Sequence, residues 1–283
     1  MLAGVRRALT PTVSFGCAPL VVSYQVHSPR WNTPDIKIVV VSDLHVCWPW
    51  TSLQALLRVV AKVNALTPDL ILLPGDFLVG RKLPSNRATA EQIAKILGGL
   101  CARLGVFASL GNHDWTDCPV ARKNGFTGSF VVPALRQFGI EVLVNSAIPI
   151  QDGKDKFWLV GFDSQDGQTA TARSAERHDP ERSFADVPVG ASVILMAHEP
   201  DYFAKGDARP SLQISGHTHA GQLNLFGWRP LTPSRYGGRF AHGLVSKAEG
   251  RLIVSAGLGY SGLPLRIGAP SEISVVYLTG TSG

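Results

Sequence analysis

The sequence predicts one α/β domain. Three observations lead there. β-branched apolar runs alternate with amphipathic helical stretches through the first 115 residues, each run stops in a polar cluster, and strand-like runs accumulate after residue 140 while helix periodicity fades beyond 210. The chain has 283 residues, 45% apolar and 17% charged. That composition excludes a disordered chain, no heptad or solenoid period recurs, and the length suffices for a sizeable core.

Ile36 to Val41 is a buried-strand pattern that ends at Ser42-Asp43. Thr51 is a candidate cap for a helix traced by Leu53, Leu56, Leu57, Val60 and Val63 and closing near Pro68. Leu70 to Leu73 is the second strand, stopped by Pro74-Gly75-Asp76, and residues 81–89 read as loop. Ile93, Ile96, Leu97, Leu100 and Leu104 trace a helix ended by Gly105. Val106 to Leu110 is then a strand stopping at Gly111-Asn112. This alternation implies a parallel sheet with ligands beyond the carboxyl ends of its strands. In the second half, Phe130 to Phe138 suggests a helix closed by Gly139. Short strands follow at 141–144, 157–162, 192–197, 211–215, 252–255 and 273–278, and 164–188 reads as a polar surface excursion. The expected division is a lead over 1–34 and one domain over 35–283.

Twenty-seven Lys and Arg against 21 Asp and Glu give a formal charge of +6. This balance suits anionic partners, yet no basic run exceeds two residues and no aromatic-studded RNA-binding motif occurs, so sequence-specific nucleic-acid binding is not expected. Cys17, Cys47, Cys101 and Cys118 form no CxxC pair and no disulfide framework, which favours a reducing compartment. Arg6 and Arg7 precede an apolar stretch, Ala8 to Val22, that is too short to span a bilayer. It reads as a tail, a signal region or an interfacial anchor, so the expected location is cytoplasmic or peripheral to a membrane.

Five of the eight histidines fall in polar clusters that follow predicted strands. The clusters are Asp43-Leu44-His45, Gly75-Asp76, Gly111-Asn112-His113-Asp114, Ala197-His198-Glu199 and Gly216-His217-Thr218-His219. Asp-x-His and Gly-Asp alone are weak, since turns favour such pairs. Gly-Asn-His-Asp has roughly 0.001 chance occurrences in this composition and Gly-His-x-His roughly 0.02. Mixed imidazole and carboxylate donors suit Mn, Fe, Zn or Co, whereas an all-oxygen set suits Mg or Ca. His217 and His219 point the same way if extended, or toward two adjacent ions if the chain turns. Spacing alone leaves both open.

The ordered set DLH, GD, GNHD, H and GHTH resembles the calcineurin-like metallophosphoesterase superfamily. The stretch Gly257 to Arg266 (GLGYSGLPLR) with Pro270-Ser-Glu-Ile273 is similar to its bacterial phosphodiesterase branch. Together they span about residues 36–278. The resemblance implies a four-layer αββα sandwich of two mixed β-sheets flanked by helices, with the metal site at strand C-terminal ends. It implies two divalent cations, manganese foremost for activity in vitro. Asp43, His45, Asp76 and His219 would hold one, and Asp76, Asn112, His198 and His217 the other. A metal-bridging hydroxide would attack the phosphorus of an ester, diesters foremost. His113 would assist the leaving oxygen, with Asp114 orienting or charge-supporting it.

The family's lipid A branch cleaves UDP-2,3-diacylglucosamine and often carries arginine where His113 stands; that pyrophosphohydrolase activity is the alternative reading. A non-catalytic scaffold is a second, but such relatives lose ligands and all seven are here. Ala220 stands where the branch often has glycine. Trp48-Pro49-Trp50 and Phe226-Gly227-Trp228 adjoin the motifs. They read as loop packing, since Trp is usually buried, or as an apolar wall for a lipid- or nucleotide-linked phosphate ester and peripheral membrane contact, with Trp48 and Trp228 as substrate contacts. Arg235, Arg239 and Arg266 are candidates for a second phosphate, Arg266 foremost. Cys47 reads as packing, because seven oxygen and nitrogen donors already complete two sites.

Overall fold

Two mixed sheets of six strands each lie at the centre of the computed structural model, which describes residues 13–14, 18–80, 85–166 and 177–280. In chain order the first strands are β1 (Leu20–His27), β2 (Ile36–Val40), β3 (Leu70–Leu73), β4 (Val106–Ala108), β5 (Glu141–Val142) and β6 (Ser146–Asp152). The others are β7 (Asp155–Gly161), β8 (Val193–Met196), β9 (Leu212–Ser215), β10 (Gly243–Lys247), β11 (Gly250–Val254) and β12 (Glu272–Thr279). One sheet has the order β1-β12-β2-β3-β4-β5 and the other β10-β11-β9-β8-β7-β6. Four consecutive strands are parallel in each: β2 to β5 in the first, and β7, β8, β9 and β11 in the second. Their carboxyl ends therefore leave each sheet on one side.

Alternation along the strands sorts side chains into layers. Ile36, Ile38 and Val40 of β2 face Met196, Leu212 and Ile253 in the core between the sheets. Val39, Val41, Ile71 and Leu73 point the other way, against Leu56, Val60, Ile93, Leu97 and Leu135. Burial on both faces explains why these strands read as unbroken apolar runs. The outer helices are α1 (Leu53–Asn64), α2 (Ala90–Leu97) and α5 (Val131–Gln137); between the last two lie α3 (His113–Thr116) and α4 (Pro119–Lys123). Against the second sheet, α6 (Pro180–Phe184) and the turn Pro200–Lys205 supply Phe184 and Tyr202 to a core with Val160, Phe162 and Leu195. The result is the four-layer αββα sandwich that the resemblance implied. The strands of the first alternation, β2, β3 and β4, are parallel as expected, and antiparallel β6, β10 and β12 make both sheets mixed.

Other boundaries also move. Ser52, not Thr51, caps α1, its side chain accepting the Ala55 N–H. The second helix stops at Leu97 with Gly98 at its C-cap; Leu100 is still buried, but from a turn. Whereas the sequence divides lead from domain at 34/35, β1 is hydrogen-bonded along its whole length to β12, and Trp31 is fully buried against Phe157. Residues from 20 onward thus belong to the sandwich. Arg6, Arg7, Cys17 and residues 81–84 lie outside the described residues. The excursion at 164–188 contains α6 and the buried Ser164 and Gln165, and 167–176 are likewise not described. Among the described residues, no helix is long and apolar enough to cross a membrane.

Candidate metal centre

Each predicted ligand sits where a parallel strand ends and the chain turns over the sheet edge. Five of the seven, Asp43, His45, Asp76, His217 and His219, have positive φ values between 42° and 70°. Such a left-handed backbone is uncommon outside glycine, though Asp and His tolerate it better than most. Glycine is needed beside them for clearance. A Cβ at Gly216 would collide with Ser42 and Asp43, and one at Gly111 with Asp76.

The turns bring the side chains together. Asp43, His45 and His219 place one donor atom each within 4.8 Å of one another, and so do Asp76, His198 and His217. Asp76 lies between the groups, its Oδ2 3.2 Å from His198 Nε2 and 3.5 Å from His45 Nε2. Asp43 Oδ1 is 3.7 Å from His219 Nε2 and 4.0 Å from His198 Nε2. Asn112 Oδ1 is 3.0 Å from His217 Nδ1. Apart from His217, 8% exposed, the His and Asp members of the two groups are almost wholly shielded from solvent.

Hydrogen bonds decide which atoms face inward. His45 Nδ1–H donates to the Leu78 carbonyl at 2.8 Å and His198 Nδ1–H to the Pro74 carbonyl at 2.6 Å. A carbonyl only accepts, so Nδ1 is the donor in both rings and Nε2 is the nitrogen that faces the carboxylate oxygens. His198 Nε2 is buried and finds no hydrogen-bond partner. Two buried clusters of imidazole nitrogens and carboxylate oxygens, their donor atoms within 4.8 Å of one another, are a donor set that fits divalent ions. Burial, aided by the charge of His113, lowers the His45 pKa to about 4 against the pull of Asp76 and Asp43. Burial, His45 and Arg266 hold His219 well below the ordinary histidine value. Both are then the neutral imidazoles that ligation requires. Burial opposes the charge on both Asp76 and His198, yet Asp76 raises the His198 pKa well above the ordinary histidine value, and His198 and His113 hold the Asp76 carboxyl well below the carboxylate range.

His113 stands beside the groups, its side chain 22% exposed and its ring edge-on to His45. Its backbone N–H donates to Asp76 Oδ1 at 2.8 Å. Its Nδ1 is 2.6 Å from Asp117 Oδ2, one helical turn on. Of the orienting or charge-supporting role expected of Asp114, its charge does raise the His113 pKa, but the acid in contact with the ring is Asp117. The Asp114 carboxylate accepts the backbone N–H groups of Asp76, Phe77, Leu78 and Gly111 at 2.8 to 3.1 Å, so it fixes two ligand turns. Burial and the Asp76 charge push this carboxyl up to about 7, against four donors that favour the anion.

Three further acids were given no role from the sequence. Asp117 is one. Asp166 Oδ2 is 3.4 Å from His217 Nε2, on the side of the ring opposite the Nδ1 that meets Asn112 Oδ1. Glu199 accepts from Ser164 Oγ and from the backbone N–H groups of Gln165 and Asp166, holding Asp166 in place. An acid four residues after His113 on a helix, and one directly after His198, were the available signals.

Arg266 is corrected as a substrate contact. It is fully buried, and its guanidinium donates to the carbonyls of Gly259 (2.6 Å), Ala256 (2.9 Å) and Ala269 (3.1 Å), with His219 and Gly257 at 3.4 Å. Arginine in a Gly-rich stretch reads as exposed, but here it clamps the loop that shoulders Asp43, where Gly259 N–H donates to Asp43 O at 2.7 Å. Arg266→Met is expected to leave these carbonyls unmet, lower stability by about 3–5 kcal/mol and loosen the Asp43, His45 and His219 group. Thermal unfolding with metal titration checks this. An unchanged unfolding temperature and two cations bound as tightly as before would contradict it.

Trp48 and Trp228 are 67% and 66% exposed, so neither is loop packing. Cys47 is buried among Val79 and Tyr260, as packing predicts.

A family model described as calcineurin-like phosphoesterase matches residues 36–221. The chain is 32% identical over 251 residues to a transmembrane protein with metallophosphoesterase domain from Danio rerio, covering 86% of this chain and 53% of that protein. It therefore spans about half the length of that relative. It is 30% identical over 251 residues to the phosphodiesterase YaeI of Escherichia coli, covering 87% and 83% of the two chains. A UDP-2,3-diacylglucosamine pyrophosphatase of Chlamydia trachomatis is 28% identical over 244 residues, 69% of each chain.

Proposed function

Because the chain belongs to the calcineurin-like phosphoesterases, we propose that it is a metal-dependent phosphoric ester hydrolase with two cation sites, acting on diesters foremost. Asp43, His45, Asp76 and His219 would hold one divalent cation, and Asp76, Asn112, His198 and His217 a second. When bound, the pair supplies Lewis-acid stabilisation of phosphoryl oxygens and acidifies water at neutral pH. The supporting observation is the convergence of two buried donor groups, Asp43 with His45 and His219 and Asp76 with His198 and His217, each with its donor atoms within 4.8 Å of one another.

The protein's own residues divide the remaining work. Asp76, between the two groups, ties the sites together. Asp43 Oδ1 also accepts the His217 N–H at 2.8 Å, so two ligand turns move as one. Asp166 and the Pro74 and Leu78 carbonyls fix ring orientation. His113 holds one proton on Nδ1 against Asp117 and carries a second on Nε2, which it donates to the departing ester oxygen. Burial works against that charge, but Asp76 and Asp117 raise the His113 pKa above the ordinary value, which keeps the donor form populated near neutrality.

Hydrolysis of bis-p-nitrophenyl phosphate on addition of Mn²⁺, abolished by a chelator, is the expected result. No turnover with any of Mn, Fe, Zn or Co would overturn the reading. Cleavage of UDP-2,3-diacylglucosamine is a second reading, favoured by the Chlamydia trachomatis relative and by the apolar Trp48 and Trp228 beside the centre. Assaying that substrate directly decides between them. The complete donor set counts against a non-catalytic scaffold.

A further inference from the structure

Among the described residues, six of the fourteen large apolar side chains left to solvent sit on loops that continue from the ligand turns: Trp48, Leu225, Phe226, Trp228, Leu231 and Leu263. Trp48 comes three residues after His45, and the loop with Phe226 and Trp228 follows His219. The loops are joined. Gln222 Oε1 accepts the Ser261 N–H at 2.6 Å, and Gln222 Nε2 donates to the Leu263 carbonyl at 3.1 Å. Tyr260, in the same loop as Leu263, is buried with Cys47 and packs with Trp50, which bridges to the Trp48 loop. The collar is therefore one continuous rim on the side of the molecule that carries the metal ligands.

Its most prominent part is built rather than loose. Leu225 and Trp228 pair through backbone hydrogen bonds of 2.9 and 3.1 Å, and Asn224 Oδ1 accepts the Gly227 N–H at 2.8 Å. This braced turn presents Phe226, 77% exposed, and Trp228 outward as a wedge. The chain that follows it carries charge of one sign, although Asp201 accepts the Arg235 backbone N–H at 2.8 Å from outside that stretch. Residues 208–248 contain no Asp or Glu, while Arg229, Arg235 and Arg239 follow the wedge, the last two exposed. The short strand Val13–Ser14 pairs with Arg266–Ile267 next to this loop.

We infer that this collar is a docking surface for an anionic lipid bilayer. Aromatic and aliphatic side chains enter the headgroup and acyl boundary while the arginines meet lipid phosphates, the combination that holds interfacial proteins. Docked this way, the metal centre opens at headgroup height. If the hydrolase reading above holds, phosphate esters displayed by a bilayer are its substrate class; the docking itself does not depend on that reading.

The test uses the full chain and vesicles of phosphatidylcholine, alone or with about one third phosphatidylglycerol. The protein is expected to sediment with the anionic vesicles and far less with the neutral ones. Phe226→Ser with Leu263→Ser should weaken partitioning by roughly tenfold or more, and Arg235→Gln with Arg239→Gln should erase the preference for anionic lipid. Retained bis-p-nitrophenyl phosphate turnover by the Phe226→Ser, Leu263→Ser protein shows that it is folded. Failure of the wild type to sediment, or variants that sediment as it does, would sink the proposal. So would a dimer that the same serine substitutions split, without vesicle binding, since a second copy would then cover the collar. Wild-type hydrolysis without vesicle binding removes the docking alone, whereas vesicle binding without hydrolysis removes the enzyme reading alone.

Discussion

Asp76→Asn is expected to abolish turnover and metal retention together. Asp76 faces His45 and His198 through one oxygen and fixes His113 through the other. An amide keeps the size but loses the charge, and its NH₂ can satisfy the orphaned His198 Nε2. The variant therefore folds while the attraction for cations falls on both sides. Removing a single preorganised electrostatic donor typically costs 10²–10³ in rate, and a residue shared by both groups should cost roughly 10³ or more. The second readout is thermal unfolding. Wild-type protein should gain about 2.7 kcal/mol from Mn²⁺ at a hundredfold excess over its dissociation constant, and the variant should gain far less. A variant that keeps two cations and wild-type turnover would remove Asp76 from its place.

His113→Ala should separate what Asp76→Asn joins. The ring lies beside both groups but is assigned to neither, so metal content should stay at the wild-type value while turnover drops roughly 10²–10⁴-fold, the scale of a lost general acid. Asp117→Asn sharpens the test. Asp117 is among the groups that raise the His113 pKa, so its removal lowers that pKa. The donor form exists below the pKa, and activity falls as pH rises through it. The alkaline limb of the pH profile should therefore move to lower pH in Asp117→Asn, with a smaller loss of turnover than in His113→Ala. An unmoved limb would mean that another group sets it.

What the sequence revealed and concealed follows from how local each signal is. Buried parallel strands are β-branched runs with a polar residue at the end, so β2, β3 and β4 were visible together with the ligands that follow them. The hairpin strand β6 was missed because Pro149 interrupts it and its edge position leaves it half polar. Strand β1 escaped because Leu20–His27 alternates between exposed and half-buried positions and merges with the apolar lead. At the centre, motif residues were legible because they carry their chemistry in short spacing. Asp117 could have been read from its place one helical turn after His113, whereas Asp166 and Glu199 act through contacts that depend on where loops pass one another. Arg266 misled for the same reason, since the five carbonyls around it come from three separate stretches.

The left-handed turns under Asp43, His45, Asp76, His217 and His219 also limit where this chemistry can be transplanted. Each bends the chain against its preference at a cost of about 1 kcal/mol or more, so the cradle as a whole draws roughly 5 kcal/mol from a fold whose entire margin is of that order. A short peptide bearing the same motifs would relax out of shape, and a designer grafting them elsewhere would have to import both sheets as well.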